Sequence, residues 1–182
     1  MIILSDELLQ DLTTRTQRHI EQVGQWKELP LSNLIKRPSP EAWNVLECLE
    51  HLNMYGEFYL AEIERGLLKA ENDFNPKFHS GILGNYFANS MLPKTKTKKI
   101  KTFKDKNPIN QSLDTKVLDR FIRQQEKMLA LLDKAKTKNL NKIRTSISIT
   151  KWIKLKLGDT FRIVIYHNER HIEQAKKAIH SN

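Results

Sequence analysis

The sequence has a single cysteine, Cys48, which excludes an internal disulfide and any metal site built on several thiolates. A metal held by this chain must rest on histidine or carboxylate. Glycine is scarce, six in all, and neither a phosphate-binding loop nor a glycine-rich dinucleotide turn is present. A serine-nucleophile elbow is missing as well. No apolar run approaches the roughly 18 residues that a membrane span requires, because Lys, Glu or Arg interrupts even the richest windows. The opening residues, MIILSDELLQ, carry no basic leader, long apolar stretch or small-residue cleavage site, so the expected location is the cytoplasm.

What is there reads as a folded globular chain. Its 182 residues suit one domain spanning 1–182, with 39% hydrophobic and 29% charged residues. Lys and Arg number 31 against 21 Asp and Glu, for a formal net charge of +10 that would attract polyanions if it were gathered on one face.

Helical periodicity recurs four times. Residues 5–28 place Leu8, Leu9, Leu12, Ile20, Val23 and Trp26 on one stripe, with Ser5 positioned to cap. RPSPEAW supplies a second start, with Ser39 as the cap and Pro40 at the first helical position, for a helix from about Pro40 to Ala70. Prolines 76, 93 and 108 then break the pattern from 71 to 111, a long crossover in which GILGNYFANSML is expected as a short helix. A third stripe runs through Leu113, Val117, Leu118, Phe121, Ile122, Met128, Leu129 and Leu132, with Ser112 or Asp114 as its cap. The β-branched IRTSISITKWI is expected to be extended, over one end of the bundle. LGDTFRIVIYHNERHIEQAKKAI then forms the last helix. The expected fold is all-α: a four-helix bundle with a long crossover between its second and third helices.

On that last helix His167 and His171 lie one turn apart, on a face shared with Ile163, Val164, Gln174, Ala175 and Ala178. Both imidazoles can reach one ion, but two ligands hold it weakly. A third has to come from a facing helix, and the second helix offers His51 beside Cys48, Tyr55 and Phe58. Three neutral imidazoles suit Zn, Ni, Fe or Cu and leave coordination positions open for water or substrate. The alternative is a set of packed interior histidines with satisfied hydrogen bonds. Glu47, Asn168 and Gln174 are the polar candidates to orient the imidazoles, and Tyr55 to place a hydroxyl above them. Cys48 reads as a small buried apolar residue and is left out of the ligand set.

WNVLECLEHL, from Trp43 to Leu52, together with LGDTFRIVIYHNERHIEQ, from Leu157 to Gln174, resembles the DinB-like, YfiT-like family of bacterial damage-inducible bundle proteins. KIKTFKDKNP resembles a linker in one branch of that family. The resemblance implies a four-helix bundle with one crossover, often a homodimer, with a divalent metal on three histidines, zinc or nickel. Carried over by motif, these are His51, His167 and His171. It also implies a small-molecule substrate, since members include thiol transferases using bacillithiol, mycothiol or glutathione and a maleylpyruvate isomerase. A metal-dependent hydrolase or thiol-dependent S-transferase is therefore expected, with no membrane partner.

The main competing reading is a non-enzymatic stress-response or nucleic-acid-binding bundle, resting on seven lysines at 94, 96, 98, 99, 101, 104 and 106. With no arginine cluster and only Phe103 for stacking, that run reads as a solvated loop and nucleic acid is not expected as a partner.

Overall fold

The computed structural model describes residues 1–93 and 102–181. Four long helices make the bundle: α1 (Ser5–Trp26), α3 (Val45–Leu68), α5 (Lys116–Ala135) and α6 (Leu157–Ile179). A single-turn α2 (Leu31–Leu34) and the ten-residue α4 (Ile82–Met91) lie in the connections, with a 3₁₀ turn at Lys104–Lys106. Among the described residues strands form two antiparallel pairs, β1 (Ile2–Leu4) with β2 (Lys77–His79), and β3 (Arg144–Ile147) with β4 (Thr150–Lys156).

The principal helix contacts run α1–α5–α3–α6 and back to α1, so α1 and α3 face each other across a diagonal. Directions follow from the two apolar clusters. One joins the start of α1 (Leu8, Leu12), the end of α3 (Ile63, Leu67), the end of α5 (Leu131, Leu132) and the start of α6 (Phe161, Ile165). The other joins the opposite ends: Val23, Leu49, Phe121 and Ala175. Hence α1 runs with α6 and α3 runs with α5. Parallel neighbours cannot be joined by a tight turn, which is why the connection from α3 to α5 has to travel the length of the bundle. Buried polar side chains lie between the clusters: Thr16, Asn53, Gln125 and Asn168, with Asn168 donating to Gln125 at 2.9 Å.

Helix starts and caps differ from expectation at three of the long helices. The second long helix begins at Val45, not Pro40, because Asn44 and Glu47 form a reciprocal capping box that the Ser39–Pro40 signal cannot match. Ser5 does not cap α1. It is drawn into the β1–β2 pair, where its N–H donates to the Pro76 carbonyl and its hydroxyl to that of Asn75. No side chain caps α5 at Thr115, although Asp114 accepts from the Lys116 N–H at 2.9 Å. The stretch after α5, expected to be extended, forms the antiparallel β3–β4 hairpin, with a bulge between Ser146 and Ile147. The β1–β2 pair itself was not foreseen, since no local signal links residues 2–4 to 77–79.

The crossover is pinned to α6 by the buried Asp159. Its carboxylate accepts from the Ser80 hydroxyl and from the Gly81 N–H at 2.8 Å, capping the start of α4 from another helix. Arg162 extends this anchor to Asn85 and Asn89 at 3.2 and 3.3 Å. Gly84 passes so close that an added Cβ would sit 2.3 Å from the Asp159 carboxyl carbon. Gly84→Ala is therefore expected to cost about 1–3 kcal/mol by overpacking. Denaturant titration checks it, and a loss within error of zero would mean that α4 is free to shift.

Candidate metal centre

His51 faces the bundle because α3 is fixed from its first turn. Glu47, fully buried one turn earlier, accepts from Arg37 at 2.6 Å and from the Asn110 N–H at 2.7 Å, besides completing the capping box. That carboxylate ties the returning crossover to α3. Trp43 adds a second tie, its indole N–H donating to Asn107 Oδ1 at 3.1 Å. The crossover thereby brings the Lys106 carbonyl to 2.7 Å from His51 Nδ1. The imidazole donates there, so its Nε2 is left with a lone pair.

That Nε2 lies 3.3 Å from Nε2 of His167 on α6. One turn on, His171 donates from Nδ1 to Gln174 Oε1 at 2.9 Å, so its Nε2 also presents a lone pair. Ring centroids are 5.1 Å apart for His51 and His167, 4.6 Å for His51 and His171, and 4.7 Å for His167 and His171. One nitrogen from each falls within 4.8 Å of the others, a group able to hold a metal ion. The three histidines expected from the sequence are thus brought together by two helices.

Burial keeps all three imidazoles neutral. It lowers His51 to about 4, only partly offset by the hydrogen bond to the Lys106 carbonyl. His171 is lowered to about 3, first by burial and then by the charge of His51, with Gln174 opposing. His167 falls well below the ordinary histidine value from burial and its two neighbours. Neutral imidazole is the form that binds a cation, so metal would meet no proton competition until well below neutral pH.

Of the polar candidates, Gln174 does orient an imidazole, whereas Asn168 is spent on Gln125 and Glu47 on the crossover. Cys48 is fully buried and burial pushes its thiol up, consistent with its exclusion from the ligand set. Tyr55 stands edge-on to His51 and His167, at 5.0 and 5.1 Å between centroids, and burial pushes its hydroxyl up to about 12. It remains a proton donor. Sequence reasoning missed Trp43, which packs 4.7 Å from His51 and 5.6 Å from His171. It missed the Lys106 carbonyl too, since a backbone oxygen 55 residues from its partner leaves no side-chain signal.

The imidazoles line a cleft of about 980 Å³, the size of a small-molecule site. Of the basic stretch, Lys94, Lys96, Lys98, Lys99 and Lys101 lie outside the described residues. Lys104 lines the cleft, and Lys106 sits 6.0 Å from the Tyr55 ring centroid. Among the described residues no helix is long and apolar enough to cross a membrane.

Comparison with known proteins bears on the family and the fold. The model of the DinB superfamily matches residues 9–175. No curated protein matches the chain. Among solved structures it is similar to YfiT from Bacillus subtilis, described as a probable metal-dependent hydrolase with an unusual four-helix bundle topology. The two share 14% identity at a TM-score of 0.53, over 96% of this chain and 85% of that one. At that identity the likeness is one of fold.

Proposed function

Since the chain belongs to the DinB superfamily, we propose that it is a metal-dependent enzyme acting on a small molecule, by hydrolysis or by transfer to a low-molecular-weight thiol. His51, His167 and His171 hold the ion, zinc or nickel. One domain, a cytoplasmic location and a homodimer complete the reading. Its main support is the trio of neutral imidazole nitrogens within 4.8 Å, two of them aimed by hydrogen bonds at the opposite ring nitrogen, in an open cleft. In the metal-free protein His167 Nε2–H can donate to His51 Nε2 across the 3.3 Å contact, which leaves the Nε2 lone pair of His171 without that partner.

The residues fit such a group. A divalent cation there would lower the pKa of a bound water or thiol and hold the resulting anion near neutral pH. The Lys106 carbonyl and Gln174 fix the tautomers of two ligands, so their lone pairs are set before any ion arrives. Tyr55 offers a protonated hydroxyl beside the imidazoles, able to donate to a substrate oxygen. Trp43 and Tyr55 pack their rings against the imidazoles and lower the polarity of that wall of the cleft.

Turnover of ester and amide panels, and of electrophiles with added thiols, is expected to vanish with a chelator and return with zinc or nickel. Activity indifferent to chelation, in protein shown to be metal-free, would remove the reading. Gln174→Leu is expected to weaken metal binding by about 10- to 100-fold, as losses of such orienting partners do. Chelator competition measures this, and an unchanged affinity would mean that the Gln174 bond does not orient His171.

A further inference from the structure

The cleft is graded along its length. His51, Tyr55 and Tyr59 recur at four-residue steps on α3, as do Ile163, His167 and His171 on α6. The helices run in opposite directions here: His51 meets His171, while Tyr55 meets His167. Past the imidazoles, toward Tyr59 and Ile163, the walls are apolar, with Leu155, Ile147 and Ile149 of the β3–β4 hairpin closing that end. The charged residues that α6 contributes to the cleft, Arg170, Glu173 and Lys177, all follow His167.

Two details define what the apolar half accepts. Tyr55 and Tyr59 stack at 6.5 Å with 15° between planes, forming a flat aromatic wall. At the far end the Tyr59 hydroxyl is already engaged with the Ser148 hydroxyl and N–H, each at 3.3 Å. The contact between the two hydroxyls uses one of their two hydrogens, so a single O–H donor stands at an otherwise apolar far end. Ile149, 62% exposed, offers apolar surface at the lip.

We propose that the substrate is a small molecule with its polar reacting group at the imidazoles and an apolar tail, alkyl or aryl, lying along Tyr55, Tyr59 and Ile163 toward the hairpin. This rests on the metal-dependent reading. Eight residues separate His51 from Tyr59, so the lane is about 12 Å long at the helical rise per residue. A tail of roughly octyl length fills it.

The test uses the full chain loaded with zinc, its metal content measured in parallel, and straight-chain alkyl hydroxamates from acetyl to dodecanoyl as probes in calorimetry. Affinity is expected to rise about threefold to fourfold per methylene, the gain for a buried methylene, and to level off near the octanoyl to decanoyl members. Ile149→Asp is expected to lower the ratio of octanoyl to acetyl affinity severalfold. Acetohydroxamate binding with no rise along the series would overturn the apolar lane and leave the metal reading standing. The same rise in zinc-free protein, with no binding of the acetyl member to either form, would keep the lane and overturn the metal reading.

Discussion

Protein purified without a histidine tag is expected to carry zinc or nickel near one ion per chain, and His51→Ala, His167→Ala and His171→Ala each to lose it on dialysis. Two imidazoles remain in each variant, and two neutral nitrogens hold a divalent ion weakly against water. The effect should be larger than for any change to an orienting partner. His19→Ala is the matched control: this histidine is buried on α1, outside the group of three. Stability should report the same event. Free metal at a hundredfold excess over its dissociation constant adds about 2.7 kcal/mol. At 2–4 °C per kcal/mol for a chain of this size, that raises the melting temperature by about 5–10 °C. The three histidine variants should show no such rise. Full metal occupancy in His167→Ala, measured by elemental analysis, would place the ion elsewhere, and a metal-free natural protein that resists reconstitution would leave a bundle without this chemistry.

The second large effect is acid sensitivity of the metal-free protein. Three histidines are buried and a fourth, His167, half-buried, all of them neutral: His51 at about 4, His171 and His19 at about 3, and His167 well below its ordinary value. For His19 the main cause is burial, followed by the charges of Arg15 and Lys176, and its Nδ1 has no hydrogen-bond partner among the described residues. The unfolded chain takes up these protons near pH 6.5 while the folded chain refuses them, so stability falls as the pH drops from 6.5 toward the folded values. A histidine shifted from 6.5 to about 3 costs about 2 kcal/mol by pH 5. Four such groups approach the whole stability of an ordinary domain, about 5–15 kcal/mol. Urea titrations should show the metal-free protein failing near pH 5, and His19→Phe should recover about 2 kcal/mol of that loss. A stability flat between pH 7 and pH 5 would show that the imidazoles gain protons without unfolding the bundle.

The sequence revealed the four stripes because each long helix is amphipathic, and the His167–His171 pair because a four-residue step on a helix is itself a geometry, whereas His51, on a facing helix, rested on the family motif. The place where α3 begins was harder to see. Ser39–Pro40 and Asn44–Glu47 are both start signals, and the choice between them was made by Arg37 and Asn110, which complete the buried Glu47 only if the helix starts at Val45. The cleft was not visible at all. Its walls come from α3, α4, the hairpin, α6 and the returning crossover, and no local pattern states that Ile147 and Tyr59 will meet.

The parallel pairing of α3 with α5 has a kinetic consequence. Neighbours joined by a path as long as the bundle cannot zip from a hairpin, so loop closure must precede the contacts that reward it, and such folds are slower than up-and-down bundles of equal size. His51 and His167 are 116 residues apart, and they meet only when the last helix docks. An ion added to the unfolded chain thus finds no nucleus to assemble around. It should leave the refolding rate unchanged and act instead on the rate of unfolding, as a latch closed after the bundle has formed.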